Sequence, residues 1–575
     1  MIKSKKETIF NFLFTLVMAI LFLGAVNYIP FPSPGGIGLM IPSNIGIWVL
    51  VAVLITLSIY KITLSSSIKK SKLTLPMMLT LLAMVLPGFF QAEGDTREIF
   101  LRVFQVIGFF LLYISFTQFK LSARIISNVL FIVLLSSLVQ ILLALGQLYH
   151  NPETTPLFLL QYLGMNTPPV GTLLQVNIMA IFMVTSIVIS FYLLFQPSFS
   201  NQGLHRKILL VIVILGGSYL ISIISSRAAF IALALSVPLI IFARRKKIIH
   251  RKKWFITLAL SCVFGLSSGL YFSNGESGLS KLENKTTEAR MLAWKLSFQA
   301  IKENPILGYG LGGFTKAYFD QNENYTKNLD KKEYKSTSFF THPHNEFLYW
   351  WIESGIISVI AIIALIIYFI RLLFITSRES ALEYLALLTP ITFHTQVSLT
   401  FYLSSLLMVL FIFFLAISTR NSIKSHQLNI TSYFKIFTLS CSTLIFIAYI
   451  FFISETVSGI KTLKKITDTG SKNFHLLAKE INNPYWGNIA LSHAHAISMS
   501  NEYKSGNIEK ANTHLKWIEK KVLTHEDPAY YSLLLAGYKL FKDKEKYDTL
   551  ISRLQNRYPN RFSNSYTSVI KEGSD

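Results

Sequence analysis

The chain of 575 residues is 52% hydrophobic and only 15% charged, and its mean hydropathy of +0.47 is too high for a soluble domain of this size. Its 54 Lys and Arg residues exceed the 30 acidic residues, but they stand in short runs between apolar segments rather than on one solvated, nucleic-acid-binding face. Cys262 and Cys441 each lie inside an apolar stretch, so neither a disulfide framework nor a Cys-based metal site is predicted. The composition predicts a membrane-embedded protein with no nucleic acid as partner.

Thirteen apolar stretches approach the length that a helix needs to cross a bilayer, roughly 20 residues. They cover residues 9–29, 45–60, 74–90, 99–118, 125–148, 177–195, 208–225, 229–243, 254–273, 352–373, 382–397, 401–418 and 433–454. No small-residue cleavage site is evident after the first stretch, so we interpret it as a retained helix rather than a signal peptide. The predicted fold class is an all-α, polytopic membrane helix bundle with about 13 transmembrane helices.

The positions of the cations predict the orientation, because Lys and Arg in short loops stay on the cytoplasmic side. One orientation places nearly all of them on the same side, with the strongest clusters at residues 244–247 and 251–253. The amino terminus is then cytoplasmic and the carboxyl terminus is outside. The predicted domains are amino-terminal transmembrane helices, a long outer loop, carboxyl-terminal transmembrane helices and a small outer helical domain, at residues 1–273, 274–350, 351–455 and 456–575.

The tail after the last predicted span is polar, and its pattern is helical. Asp527 and Pro528 predict the N-cap and first turn of one helix, and Gly506 separates two earlier amphipathic stretches. Paired short helices of this kind are typical of tetratricopeptide-type hairpins. An ordinary small helical domain is the alternative, since no clean repeat is present.

The most specific local signal is the segment 341–346, which reads Thr-His-Pro-His-Asn-Glu. Proline is favoured at the first position of a helix, which would place His342 at the cap and His344 within the first turn. The positive end of the helix dipole disfavours imidazolium, so His344 is predicted to be neutral and able to accept a proton. The same helix end can receive an anionic oxygen. A pair of interfacial histidines above an aromatic belt is the alternative.

Two arginines stand out on the predicted outer side. Arg227 lies where two apolar spans meet, against the trend of the other cations, and a charged residue at such a depth suggests a functional site. Snorkelling of its side chain to the interface is the alternative. Arg290 lies in the long outer loop, where it is either a ligand for an anion or a solvated cation.

The glycine-rich segment 304–314 resembles a phosphate-binding loop only superficially, because no strand precedes it and no Gly-Lys-Ser/Thr follows. We interpret it as a flexible turn that shapes an outer cavity. Glu93 and Asp95 offer oxygen ligands for a divalent cation, but their short loop also contains Arg97, and a solvated charged turn is favoured. No metal site and no cofactor are predicted.

These motifs together resemble the O-antigen ligase and polymerase superfamily. The resemblance rests on Arg290 with Trp294, on Asn-Pro followed by Gly-Tyr-Gly and Phe in segment 304–314, and on His344-Asn345 followed by Gly355. It covers about residues 210–420. One departure is Ser358, where the family's signature usually has Gly, Thr or Val, and the role of that position looks structural.

Two further features are similar to the bacterial protein O-oligosaccharyltransferases of the PglL type. Segment 171–177 contains a glycine followed by Gln175 and Asn177 before a membrane helix, and a soluble domain follows the last span. The histidine that this subfamily usually carries next to its Gln-x-Asn is replaced by Ile178. From the residues alone, Gln175 and Asn177 are equally compatible with a polar helix start.

The resemblance implies transfer of a preassembled oligosaccharide from undecaprenyl pyrophosphate to a hydroxyl group outside the bacterial inner membrane. It implies that His344 is the base, that His342 and Asn345 support it, and that Arg227 and Arg290 bind the pyrophosphate. Contact of His342 with phosphate is the alternative to its supporting role. Gln175, Asn177 and Tyr309 would contact substrate. The implied acceptor is a periplasmic protein such as a pilin, modified on Ser or Thr with inversion at the anomeric carbon and without a metal.

Three other functions are compatible with parts of the sequence. One alternative is an enzyme of the same superfamily that ligates O-antigen to lipid A-core or polymerises its repeat units, although the tail disfavours both. A transporter or flippase of lipid-linked sugars would need many helices and intramembrane cations, but the internal repeat typical of transporters is not found. A membrane scaffold that binds partners through its tail would leave Arg227, Arg290 and the histidines without a role.

The predicted orientation is tested by reporter fusions. Alkaline phosphatase is active only outside the cytoplasm, so a fusion after Ser454 should be active and a fusion near Arg245 inactive. The opposite pair of results would overturn the orientation.

Overall fold

The computed structural model describes residues 2–31, 33, 36–91, 96–151, 168–273, 278–327, 340–469, 474–559 and 561–562. The predicted fold class is confirmed, since the protein is an all-α polytopic membrane helix bundle. The helices of the amino-terminal half are α1 Ile2–Ala19, α2 Pro42–Ser65, α3 Thr74–Phe90, α4 Thr96–Gln118, α5 Ala123–Tyr149, α6 Val176–Leu194, α7 Leu204–Ile224, α8 Arg227–Ile248 and α9 Lys252–Phe272. Those that follow are α10 Gly278–Glu303, α11 Phe314–Lys327, α12 Glu346–Thr376, α13 Arg378–His394, α14 Ser405–Thr419, α15 Ser432–Thr469, α16 Phe474–Glu480, α17 Gly487–Lys504, α18 Ile508–Thr524, α19 Pro528–Leu540 and α20 Lys544–Arg557.

Ten helices within the described residues are long and apolar enough to cross a membrane. One of these ten, at 227–272, contains two of the predicted spans as α8 and α9. Two further predicted spans form 17-residue helices, α3 and α13. Each of the thirteen predicted stretches therefore coincides with a helix. Glu93 and Asp95 lie outside the described residues.

One compact unit comprises residues 1–78, 107–283 and 364–450. Helix α6 lies at its centre, because 17 of its 19 residues are buried, and α5, α7, α8 and α13 pack around it. Two strands, β1 Ser67–Lys70 and β2 Lys424–Gln427, pair antiparallel, with Ser67 opposite Gln427 and Lys70 opposite Lys424. This pairing joins two loops that lie far apart in the sequence.

The second unit comprises residues 79–106, 284–363 and 451–575. It combines the ends of several membrane helices with the whole polar tail. Helix α15 runs without interruption through the predicted start of the tail at residue 456 and ends at Thr469. Beyond it, consecutive helices from α16 to α20 pack on one another in sequence.

A buried arginine fixes the last helix of the tail to α11. The Arg557 side chain, 2% exposed, donates to carboxylates of Asp320 at 2.7 Å, Glu323 at 3.0 Å and Glu526 at 2.6 Å. Its backbone carbonyl accepts a hydrogen bond from the Asn322 side chain at 3.0 Å. Charge-assisted hydrogen bonds of this kind are among the strongest in proteins, so the tail belongs to the same folded unit as α11.

Helix α12 is interrupted at Gly355, and the glycine-rich segment 304–314 supplies the missing hydrogen bonds. Gly355 has φ of +71° and ψ of −174°, which a regular helix cannot accommodate. The Ile352 carbonyl accepts from the Tyr309 amide at 2.7 Å, and the Ile356 amide donates to the Pro305 carbonyl at 3.0 Å. These two bonds replace the one that Ile356 would make to Ile352 in a continuous helix. The segment predicted to be a flexible turn is thus held against α12.

Glycine is required at position 355 for two reasons, so we expect Gly355→Ala to be strongly destabilising. A Cβ there would lie 1.8 Å from the Ile306 carbonyl oxygen, and its φ is positive. Strain and overpacking each cost about 1–3 kcal/mol. Gly312→Ala is the matched control, because its φ of +83° imposes similar strain with nothing within 4 Å of an added Cβ. The measurement is the thermal unfolding midpoint in detergent; equal losses in both variants would contradict the steric argument.

Candidate functional site

The histidine motif precedes α12 rather than opening it. Helix α12 begins at Glu346, and Asn345 is its N-cap, because the Asn345 side chain accepts from the Leu348 amide at 3.0 Å. The prediction that His344 lies within the first helical turn was therefore wrong. His344 has φ of +58°, a left-handed conformation that cannot continue a helix from Pro343. The loop before α12, rather than the helix itself, therefore sets the direction of the His344 side chain.

His342 holds that loop conformation. Its Nδ1 accepts a hydrogen bond from the His344 amide at 2.9 Å, so the proton of the neutral ring resides on Nε2. That nitrogen lies 3.9 Å from Oε1 of Glu346. The ring is 2% exposed and packs at 4.3 Å between centroids on Tyr349. His342 is thus placed to orient His344 through its backbone.

Helix α10 positions Arg290 beside the motif. Trp294, one helical turn after Arg290, donates from its indole Nε1 to the Pro343 carbonyl at 2.9 Å. Residues four apart lie on the same face of a helix, so the bond from Trp294 brings that face of α10 to the histidine loop. The four-residue spacing between Arg290 and Trp294 in the sequence therefore places both side chains on the face of α10 that meets the histidine loop.

The environment of His344 keeps its imidazole neutral. Burial, followed by the positive charge of Arg290, lowers the pKa of His344 to about 3. Burial also lowers the pKa of His342 well below its ordinary value, with the charges of His344 and Arg102 as lesser causes. Neutrality was predicted, but we attributed it to a helix dipole. Within the described residues, Nδ1 of His344 is buried and has no hydrogen-bond partner.

Sequence analysis missed Arg102 on α4. Its guanidinium lies 4.8 Å from the centre of the Tyr349 ring and donates to Glu353 at 2.6 Å. The Glu353 side chain is 1% exposed and that of Arg102 is 20% exposed, so the ion pair is largely buried, and its arginine packs on Tyr349, which also contacts the His342 ring. The sequence did contain a signal for this site, because Arg102 is a charged residue within a predicted membrane span. What the sequence did not show is that α4 and α12 bring these charges together.

The Tyr309 hydroxyl is engaged within the protein. It donates to the Glu303 carboxylate at 2.8 Å and lies 3.2 Å from the Ala300 carbonyl. These bonds close the turn between α10 and the glycine-rich segment. Contact of Tyr309 with substrate stays a prediction.

Arg227, Gln175 and Asn177 belong to the first unit. Arg227 is exposed at the first position of α8, and the preceding Ser226 donates from its hydroxyl to Asn177 at 3.0 Å. Gln175 is exposed immediately before α6. The structure thus places Asn177 next to the start of α8. In the second unit, it places Arg290 near the histidines.

The preceding segment 170–172 is held by two buried glutamines on α5. Gln147 accepts from the amides of Val170 and Gly171 at 2.8 Å, and Gln140 accepts from the Thr172 amide at 2.8 Å. The chain therefore reaches Gln175 and Asn177 from a fixed backbone.

The stabilising role of the Arg102–Glu353 ion pair is tested with Arg102→Ala. Removing one partner leaves the Glu353 carboxylate without its cation, which typically costs roughly 3–5 kcal/mol. Adding Glu353→Gln should restore part of that loss, and Arg124→Ala, at an exposed position on α5, should change little. The free energy of unfolding is measured by titration with a denaturing detergent. If the double variant is no more stable than Arg102→Ala, the ion pair does not explain the loss.

Comparison with known proteins shows which residues of the chain resemble a known family. The model of the O-antigen ligase family matches residues 208–363, which contain Arg227, Arg290, Trp294 and both histidines. An uncharacterized protein of Haemophilus influenzae is 29% identical over 164 residues, 25% of this chain and 39% of that protein, so the chain covers well under half of that relative. No solved structure matches the chain significantly. The chain is thus a multi-pass membrane protein whose residues 208–363 match the model of the O-antigen ligase family.

Proposed function

We propose that this protein transfers a preassembled oligosaccharide from undecaprenyl pyrophosphate to Ser or Thr hydroxyls of a periplasmic acceptor protein, such as a pilin. The observation that carries the proposal is the buried His344 imidazole, whose Nδ1 has no hydrogen-bond partner within the described residues and whose pKa is lowered by burial and by the positive charge of Arg290. One group accepts a proton and the other attracts a phosphate. The Trp294–Pro343 hydrogen bond fixes the elements that bear them.

The proposed reaction is a single displacement. The acceptor oxygen forms a bond to the anomeric carbon as the bond from that carbon to the pyrophosphate oxygen breaks. His344 takes the hydroxyl proton, and undecaprenyl pyrophosphate leaves with the bonding electron pair. The configuration at the anomeric carbon inverts, and no covalent sugar–enzyme intermediate forms.

Arg290 would neutralise the leaving group, and phosphate binding by Arg227, in the first unit, stays a prediction. Guanidinium binds phosphate oxygens through two parallel hydrogen bonds, which suits a pyrophosphate. Its charge would do the work of a divalent cation, so the proposed reaction needs neither a metal nor another cofactor. The bound anion would also raise the pKa of His344, because an opposite charge nearby favours imidazolium. Donor binding would thereby strengthen the base.

The tail favours a protein acceptor. Helices α16 to α20 form a helical body that Arg557 anchors to α11, in the same unit as the histidine motif. Such a body offers an acceptor protein a surface close to the site of transfer. Transfer to lipid A-core is the second candidate, because the matching family is described as O-antigen ligase. Both reactions place the chain in the inner membrane with its active site facing the periplasm.

Transfer to a protein is tested with purified full-length protein, lipid-linked oligosaccharide and either a pilin or lipid A-core, in excess EDTA. We expect the pilin mass to increase by the whole oligosaccharide. Modification of lipid A-core alone would replace the proposed acceptor, and activity that returns only with Mg²⁺ or Mn²⁺ would contradict the role given to the arginines.

His344→Ala should lower transfer by roughly 10²- to 10⁴-fold, the usual contribution of a general base. Arg290→Lys should lower it by about 10- to 100-fold, because an ammonium group loses a charge-assisted bond worth roughly 1.5–3 kcal/mol. His250→Ala and Arg245→Lys, at exposed positions in the other unit, are the matched controls. Transfer and donor binding are measured separately, per amount of inserted protein. Near-normal transfer by His344→Ala would refute the mechanism, and lost donor binding would make His344 a phosphate ligand.

The pH dependence of kcat/KM distinguishes a buried base from an ordinary histidine. The neutral imidazole is the active form, and with a pKa of about 3 in the free enzyme it is already deprotonated between pH 5 and 8. We therefore expect no decline of kcat/KM through pH 6.5. Arg290→Gln removes a cause of the low pKa, so the acidic decline should move to higher pH. A wild-type inflection near pH 6.5 that His344→Ala abolishes would contradict this assignment.

A further inference from the structure

A cationic cavity lies in the first unit, lined by residues of segments 70–78 and 422–426. Its volume is about 370 Å³, and strands β1 and β2 together with the start of α3 form its walls. Its lining includes Lys70, Lys72, Lys424, His426, Leu75 and Met78. Among the described residues, no carboxylate lines it. We call it the strand cavity.

The strand cavity concentrates like charges. Lys70 and Lys424 are directly opposite each other in the β1–β2 pair, and like charges in that arrangement destabilise a strand pair. The backbone amide of Lys72 donates to the Ser422 hydroxyl at 3.2 Å, which fixes a third lysine at the rim. Within the described residues, none of these three side chains forms an ion pair. An anion would offset the repulsion.

One wall of the cavity is apolar. Leu75 is 58% exposed and Met78 is 38% exposed, and they lie three residues apart on one face of α3. A free phosphate ion would gain nothing from such a wall. The glycerol and first acyl carbons of a phospholipid would cover it while the headgroup meets the lysines.

We propose that the strand cavity binds the phosphate headgroup of an anionic phospholipid. The cations then contact the phosphate, and Leu75 and Met78 contact the apolar part of the same molecule. The lipid would join β1 and β2 across their repelling lysines. The site lies on the predicted cytoplasmic side, where anionic headgroups attract Lys and Arg at about 1 kcal/mol per residue.

Purified full-length protein in detergent tests the ligand class. Dioctanoyl phosphatidylglycerol should raise the thermal unfolding midpoint by roughly 2–4 °C, whereas dioctanoyl phosphatidylcholine and inorganic phosphate at the same concentration should not. The shift should shrink as salt increases, because screening weakens exposed charges. Equal shifts with both lipids would overturn the proposal, and a shift with phosphate alone would assign the cavity to a free anion instead.

Variants locate the binding. Lys70→Gln/Lys424→Gln should weaken binding of phosphatidylglycerol at least about tenfold, or 1.4 kcal/mol, as measured by native mass spectrometry. Lys246→Gln/Lys247→Gln removes two exposed lysines at the end of α8 and should keep wild-type affinity. Equal weakening in both pairs would show diffuse attraction and refute a defined site. Without lipid, Lys424→Gln should unfold at the wild-type temperature or higher, because it relieves repulsion; a lower midpoint would contradict the charge argument.

Discussion

The interruption of α12 at Gly355 is the constraint on which the candidate site depends. An apolar environment does not supply water to unpaired backbone groups, so a broken membrane helix needs partners from the protein. Pro305 and Tyr309 provide them through the hydrogen bonds to Ile356 and Ile352. Ser358 adds a third element, since its hydroxyl donates to the Gly355 carbonyl at 2.7 Å. The position where the sequence departs from the family's signature thus has a defined structural role.

Fixing the glycine-rich segment against α12 has consequences for both helices that flank it. Helix α10 ends immediately before the segment, and its Trp294 reaches the loop that carries the histidines. Helix α11 begins immediately after it, and Phe314 packs against Tyr349 at 5.8 Å between ring centroids. Arg290, the histidine loop and the tail-binding face of α11 are therefore positioned by the same backbone interruption.

The tail reaches the candidate base through aromatic contacts. Tyr558 packs on Phe319 at 4.5 Å between centroids, Phe319 on Tyr318 at 5.0 Å, Tyr318 on Phe340 at 6.0 Å, and Phe340 on His344 at 5.1 Å. Packed side chains of this kind transmit a displacement at one end to the other. If the proposed function is correct, these packed side chains would connect an acceptor bound to the tail with the base that activates its hydroxyl.

The sequence by itself determined the membrane class, the positions of the thirteen predicted apolar helices and the segment that carries the histidine motif. These features depend on local composition and periodicity, which a single chain displays directly. Arg290 and Trp294 were also identified, although the hydrogen bond that explains their spacing was not. For His344 the predicted neutrality agrees with the structure, whereas its predicted place in the helix does not.

Only the tertiary structure decided why His344 is neutral and which charged residues pair near His342. Burial and the charge of Arg290 are properties of packed elements, and the φ of His344 follows from its bond to His342 rather than from Pro343. The pairing of Arg102 with Glu353 joins residues 251 positions apart. Periodicity does not encode contacts across such distances, because they depend on which helix faces meet after the chain has folded.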